Sequence, residues 1–192
     1  VLKAIKKAYV CKRRSARHVN NERTILEELS TTRCPFIVQS FGAFQDQHRL
    51  FYILEFCPGG ELFRRLDDKM RFSEDVTKFY CCETLSALEH IHSLGWVYRD
   101  LKPENIMIDE DGHIKLVDFG FARRPDKEGL CHTNVGTPAY LSPEQLNHKK
   151  TNGYRAIVDW WSFGCLIYEC LMGHTPFVSG DKASRECHYS IY

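Results

Sequence analysis

The apolar positions of this 192-residue chain change their period from one end to the other. Val1-Leu2-Lys3-Ala4-Ile5 reads as a strand already under way. From Arg13 to Leu29 the spacing turns helical, with Val19, Leu26 and Leu29 on one face and Glu22 among them. A carboxylate on an apolar face demands a cation or a donor, because burying it alone is costly. Pro35 to Phe44 and Arg49 to Phe56 read as strands, ended by Pro58-Gly59-Gly60, and Glu61 to Leu66 as a short helix. Ser73 is an N-cap for a long helix running to about His92. Val76, Phe79, Tyr80, Leu85, Leu88 and Ile91 are predicted on its buried side, and Gly95 closes it. Val158 to Met172 predicts a second, buried helix. Strands come first and helices follow, with the break near Pro58. That order predicts an α+β fold: a small antiparallel sheet lobe with one helix, joined to a larger, mainly helical lobe.

One stretch carries chemistry. Ile106 to Val117 comprises two short apolar runs around Asp109-Glu110-Asp111-Gly112, a strong local hairpin signal. A two-residue turn on Asp111-Gly112 pairs Ile108 with Lys115, Ile106 with Val117 and Asn105 with Asp118; a slightly longer turn keeps the same outcome in reach. Directly opposed residues have Cβ atoms roughly 5 Å apart, so two hard oxygen ligands suited to Mg²⁺ would meet at the open end. Asp100 lies just upstream, without an obvious local cation, where it can accept a proton. A metal site beside a free carboxylate points to phosphoryl transfer.

Composition narrows the setting. With 43% hydrophobic residues, 27% charged residues and net charge +1, the chain can bury a core and has no bias toward nucleic acid or acidic membranes. The basic run from Lys3 to Arg17 reads as a solvated helix face. Nine cysteines show no Cys-x-x-Cys spacing, and Cys131-His132 and Cys187-His188 lack the second pair of a zinc site. Free thiols place the protein inside the cell, in the cytoplasm. The apolar run Trp160 to Met172 is too short to span a bilayer. Arg123 to Asn134 is a long polar segment without periodicity, of the kind that is functional or mobile. Residue 1 is Val and Tyr192 ends without a cap, so the chain reads as a fragment.

These residues in this order resemble the eukaryotic protein kinase signature: a strand Lys, a helix Glu, Arg99-Asp100-Leu101-Lys102-Pro103-Glu104-Asn105, Asp118-Phe119-Gly120 and Ser142-Pro143-Glu144. The Lys two positions after the catalytic Asp resembles serine/threonine kinases. Phe119 to Arg123, Gly136 to Tyr140 and Val158 to Gly164 are similar to the AGC group, above all to cyclic-nucleotide-dependent kinases. The resemblance implies ATP and Mg²⁺ as cofactors. It implies that Lys3, ahead of its neighbours Lys6 and Lys7, contacts phosphates and pairs with Glu22. Asp100 would accept the substrate hydroxyl proton, Lys102 would neutralise the γ-phosphoryl group, and Asn105 and Asp118 would hold Mg²⁺. Leu54, Glu55, Cys57 and Met107 would surround the nucleotide. Thr133 would be phosphorylated and bound by Arg99, Arg123 and His18. Thr137 would bond the catalytic Asp, and Glu61, Glu104 and Glu169 would receive substrate arginines.

The same likeness implies protein substrates, an upstream activating kinase and a regulatory subunit or domain, with no nucleic acid. Residues 1–57 would be an N-lobe portion lacking the Gly-rich loop, and residues 58–192 a C-lobe portion lacking the last helices. The isolated chain is therefore expected to be poorly stable and nearly inactive. Ala139 stands where the family usually has Glu, Tyr98 where it usually has His, and about three residues are added near Ser30 to Arg33. Two other readings remain: a non-catalytic kinase-like scaffold, and a metal-dependent hydrolase, which leaves Lys3, Glu22 and Thr133 without a role.

Overall fold

Every β1 side chain at an even step faces solvent, and the odd ones turn inward. In the computed structural model, which describes residues 1–12 and 16–177, β1 spans Leu2–Lys6, with Lys3 and Ile5 half-buried and Lys6 on the open side. Lys7 instead begins a short helix, α1 (Lys7–Lys12), that the sequence pattern did not predict, and its Nζ bonds the Asp46 carbonyl at 2.7 Å. The main helix of this half, α2, spans Ala16–Thr32 and buries Glu22, Ile25, Leu26 and Leu29. Strands β2 (Ser40–Gln45) and β3 (Arg49–Leu54) complete an antiparallel sheet of order β1-β3-β2. Lys3 lies opposite Tyr52, whose hydroxyl donates to the Val19 carbonyl at 2.9 Å and ties the sheet to α2. The expected helix start at Arg13, the Cys187-His188 pair and the terminal Ser190-Ile191-Tyr192 lie outside the described residues.

The second half opens with β4 (Gly60–Glu61) and α3 (Leu62–Lys69), followed by α4 (Glu74–Ser93). The Ser73 hydroxyl caps α4 by accepting from Val76 N. The buried face of α4 differs from the predicted one. Thr77, Tyr80, Cys81, Thr84, Ala87, Leu88 and Ile91 are buried, whereas Val76, Phe79 and Leu85 are 40%, 45% and 36% exposed. The true stripe follows a helical period through small residues, which let α4 approach α6 closely; size and hydrophobicity alone selected the wrong neighbours. α6 (Ile157–Met172) follows the short α5 (Pro143–Leu146) and buries Val158, Asp159, Ser162, Cys165, Leu166, Glu169 and Cys170, leaving Ile157 and Met172 outside. Among the described residues no helix is long and apolar enough to cross a membrane.

Strands β5 (Ile106–Ile108) and β6 (Ile114–Leu116) form the expected hairpin, one residue out of the predicted register. Ile106 faces Leu116 and Ile108 faces Ile114. The turn is longer because the Asp109 carboxylate accepts the backbone N–H groups of Asp111 and His113, at 3.1 and 2.9 Å. Gly112, at φ +92°, supplies the left-handed residue such a turn needs. Asn105 therefore stands opposite Val117, whose N–H it receives at 2.9 Å, and Asp118 lies one residue beyond, itself at φ +55°.

The corrected stripe has a measurable consequence. Leu88→Ala should lower unfolding free energy by about 2–5 kcal/mol, whereas Phe79→Ala should cost under about 1 kcal/mol. Urea denaturation of the two variants decides it, and equal losses would restore the original face.

Candidate active site

Glu22 is the buried carboxylate the α2 pattern demanded a partner for, and Lys3 supplies it. Lys3 Nζ lies 2.6 Å from Glu22 Oε1 and 3.2 Å from Asp118 Oδ1. Glu22 is only 4% exposed. Burial works against the Lys3 charge, but the Glu22 and Asp118 carboxylates outweigh it and raise its pKa above the ordinary lysine value. Burial also raises the Glu22 pKa, and Lys3 opposes that shift. One ammonium thus joins a strand, a helix and the segment after the hairpin.

Asp100 lies 6% exposed in the loop entering the hairpin. Its Oδ1 accepts from Thr137 Oγ1 at 2.8 Å and its Oδ2 from Asn105 Nδ2 at 2.8 Å. Lys102 Nζ sits 3.3 Å from the same Oδ2 and donates to Thr137 Oγ1 at 2.7 Å. The expectation that Asp100 has no local cation is therefore corrected: an extended backbone at Lys102 folds its side chain back over the carboxylate. Asn105 Nδ2 also bonds the Asp100 carbonyl at 2.8 Å. Gly136 lets the Thr137 segment close over this loop, since a Cβ there would lie 2.6 Å from the Arg99 carbonyl oxygen.

Asp159, fully buried at the start of α6, holds the loop from below. Its carboxylate accepts the backbone N–H groups of Tyr98 and Arg99, both at 2.8 Å, and contacts His92 Nε2 at 2.7 Å. These bonds sustain Arg99 at φ +72°, a conformation costly for a side-chain-bearing residue. The Tyr98 hydroxyl donates to the Val117 carbonyl, joining the loop to the far hairpin strand. Burial, then the charges of Asp100, Asp118 and Asp159, push the Tyr98 pKa well up, so it remains a donor.

Arg99 spreads its guanidinium over three acceptors: the Phe121 carbonyl at 2.8 Å, Thr133 Oγ1 at 2.8 Å and the Tyr154 hydroxyl at 2.9 Å. Tyr154 donates in turn to the Thr133 carbonyl at 2.6 Å. Of the three basic residues expected around Thr133, Arg99 is in contact. His18 Nδ1 instead meets the Gly120 carbonyl at 3.1 Å. Arg123 lines a cleft of about 420 Å³ with Arg17, Asn20, Asn21, Thr24, Trp96 and Arg124.

The remaining predicted residues form two groups. Leu54 ends β3 and Glu55 follows it, pairing with Lys115 at 2.9 Å and accepting from Gln39 N at 2.9 Å. Cys57 is buried, its thiol pushed up to about 11 by burial and the Glu55 charge. Half-buried Met107 faces Glu61 across β4 and β5. On the other side, Tyr140 donates its hydroxyl to buried Glu169 Oε2. Burial pushes Glu169 up to about 7, with Tyr140 opposing and Glu104 reinforcing. Glu104 Oε2 is buried without a hydrogen-bond partner among the described residues.

The sequence pattern assigns no role to Asp159, Tyr140 or Tyr154. For Asp159 a signal was available, because it interrupts an apolar helix as Glu22 does. Nothing local marked the tyrosines, whose partners lie 29 and 21 residues away.

The sequence profile of the protein kinase domain matches residues 1–191. The chain is 46% identical to cAMP-dependent protein kinase type 3 of Saccharomyces cerevisiae, over 94% of this chain and 43% of that protein. It is 46% identical to the cAMP-dependent protein kinase catalytic subunit of Dictyostelium discoideum, covering 94% of this chain and 26% of the relative. Against mouse ribosomal protein S6 kinase alpha-3 the identity is 45%, over 94% of this chain and 24% of the relative. The chain thus belongs to the protein kinase domain family, and it spans less than half the length of these relatives.

Asp159→Ala should cost about 2–5 kcal/mol, because it strands two buried backbone donors and unsupports Arg99. Urea unfolding would show it as a lower midpoint at unchanged slope; a loss within about 0.5 kcal/mol would mean water replaces the carboxylate.

Proposed function

We propose that this chain is the catalytic part of an ATP-dependent serine/threonine protein kinase that modifies hydroxyls in arginine-containing sequences. The observation that carries the reading is the joint assembly of Lys3, Glu22 and Asp118 with the Asp100, Lys102, Asn105 and Thr137 cluster. A scaffold has no need to keep a buried lysine–glutamate pair and a fully bonded carboxylate loop, each costly to bury.

In this reading the hairpin end suits Mg²⁺. The Asn105 amide nitrogen is committed to Asp100, which turns its carbonyl oxygen the other way, and Asp118 is half exposed beside Lys3. These are hard oxygen donors of the kind that cation takes. When bound, Mg²⁺ would offset the charge of the nucleotide phosphates. Lys3, fixed by Glu22, orients phosphate oxygens. Asp100, with both oxygens already directed by Thr137 and Asn105, keeps a lone pair to accept the substrate hydroxyl proton. Lys102 places positive charge where the transferred group gains negative charge. Leu54, Glu55, Cys57 and Met107 border the nucleotide, with the lobe boundary near residue 58. A phosphate on Thr133 would meet Arg99 at once, and His18 and Arg123 are the further cations this reading assigns to it.

The unpartnered Glu104 oxygen and the Glu169 carboxylate, buried with the Tyr140 hydroxyl but no cation paired to it, support the basic substrate preference, with Glu61 as the third acidic position. Buried carboxylates of this sort are satisfied by a bidentate guanidinium. An activating kinase and a regulatory partner belong to the same proposal, in an intracellular setting.

Phosphate transfer by the full-length protein to an Arg-Arg-x-Ser peptide tests the reading. Asp100→Asn should reduce kcat by about 10²–10⁴-fold; transfer equal to wild type would reject the catalytic assignment. A second outcome concerns pH. Glu169 becomes charged only as pH rises through about 7, well above the usual carboxylate value. Its protonated form favours the fold, so its stabilising contribution is present at low pH and fades as pH rises through that value. Arginine binding has the opposite trend. Between about pH 6 and about pH 8, KM for the arginine peptide should fall relative to an arginine-free peptide, and Glu169→Gln should flatten the ratio.

A further inference from the structure

We infer that Glu28, Trp96 and Arg124 form a clamp of positioning residues that holds α2, and with it Glu22, against the segments carrying Asp100 and Asp118. The three side chains come from three separate elements. Glu28 is on α2, in the same rigid helix as Glu22. Trp96 immediately precedes the strand-like stretch that leads through Val97 to Asp100. Arg124 follows the Asp118-Phe119-Gly120 segment. Arg124 Nη2 donates to Glu28 Oε2 at 2.6 Å, and Trp96 Nε1 donates to the same oxygen at 2.8 Å. The Arg124 guanidinium also lies over the Trp96 ring, 5.0 Å from its centroid. One carboxylate oxygen is therefore shared by donors from both partner segments.

Those two segments are already joined to each other. Val97 and Arg123 exchange backbone hydrogen bonds, each at 2.9 Å, directly beside Trp96 and Arg124. This bridge makes a fixed platform, and the Glu28 carboxylate attaches α2 to it. The other polar ties between α2 and this stretch are His18 to the Gly120 carbonyl at 3.1 Å and Asn21 to the Ala122 carbonyl at 3.5 Å. His18 lies near the start of α2 and Glu28 well toward its end, about 15 Å further along at the helical rise. Thr32 at the last turn of α2 also meets His90 Nε2 of α4 at 2.7 Å, but Glu28 is what ties that half of the helix to the platform bearing Asp100 and Asp118, and so limits the movement of Glu22 relative to them.

A solvent-exposed ion pair alone contributes little. This one differs in two respects. The indole is buried at 3% exposure, so losing the carboxylate strands its N–H. The guanidinium also lies over that ring, a second contact that favours its position beside Glu28. The clamp makes no use of Thr133, so α2 has a hold that does not wait for a phosphate there. Its effect on phosphotransfer rests on the kinase reading above; the fastening of α2 does not.

The test compares full-length wild type with Glu28→Gln, Trp96→Phe and Arg124→Gln, by hydrogen exchange of α2 amides and by the acylation rate of Lys3 Nζ. Each variant should speed both by about three- to tenfold, while amides of α4 stay as in wild type. The double variant Glu28→Gln/Arg124→Gln should add little to either single change, and Arg124→Lys should restore part of the protection. Arg124→Gln leaves the buried indole in place and removes only the cation, so it decides the matter if Glu28→Gln does not fold. Unchanged α2 exchange and Lys3 acylation in the variants would overturn the clamp, as would acceleration spread evenly through α4 and α6. A protein that shows the predicted exchange but transfers no phosphate would reject the kinase reading and leave the clamp standing.

Discussion

The buried carboxylate of Asp159 is the interaction on which the rest of the site depends. It has no solvent to stabilise its charge, so its oxygens must be filled by donors, and the donors available are the backbone N–H groups of Tyr98 and Arg99 with the His92 ring. Meeting that requirement fixes the backbone just ahead of Asp100. It also sustains the left-handed turn at Arg99, which aims the guanidinium at Phe121, Thr133 and Tyr154. One unfavourable burial thus sets the loop's chemistry and its link to the segment around Thr133.

A second constraint works across the sheet side. Lys3 and Glu22 come from a strand and a helix that could each form without the other, and neither charge is comfortable where it lies. Their pairing is stable only when α2 is seated, and Asp118 then completes the arrangement from the helical side. The fold therefore converts the position of one helix into the pairing state of Lys3. Glu104 and Glu169 differ from each other: Glu169 is met by the Tyr140 hydroxyl, whereas Glu104 Oε2 is buried without a hydrogen-bond partner among the described residues.

Much of this was legible in the residues themselves. The α2 pattern with Glu22 on its apolar face required a cationic partner, and the hairpin signal around Asp111-Gly112 was correct in kind. Where the structure departs from the sequence pattern, the causes are local. The hairpin register slipped by one because the Asp109 carboxylate lengthens the turn by bonding backbone N–H groups, a competition that turn propensities do not capture. The buried stripe of α4 departs from the most apolar face because it runs through Thr77, Cys81 and Thr84, with Cys81 meeting Cys170 of α6.

What the sequence determined by itself was the main strands and helices, their order, the family and the residue types that meet in the candidate site, because periodicity, caps and short motifs act over a few neighbouring positions. Which lysine meets Glu22, what fills Asp159, how Lys102 turns back onto Asp100, and how one oxygen of Glu28 comes to be shared by Trp96 and Arg124 were decided only by the tertiary structure. Each joins residues distant along the chain, and each is settled by the cost of leaving a charge or donor unsatisfied where the packed elements happen to bury it.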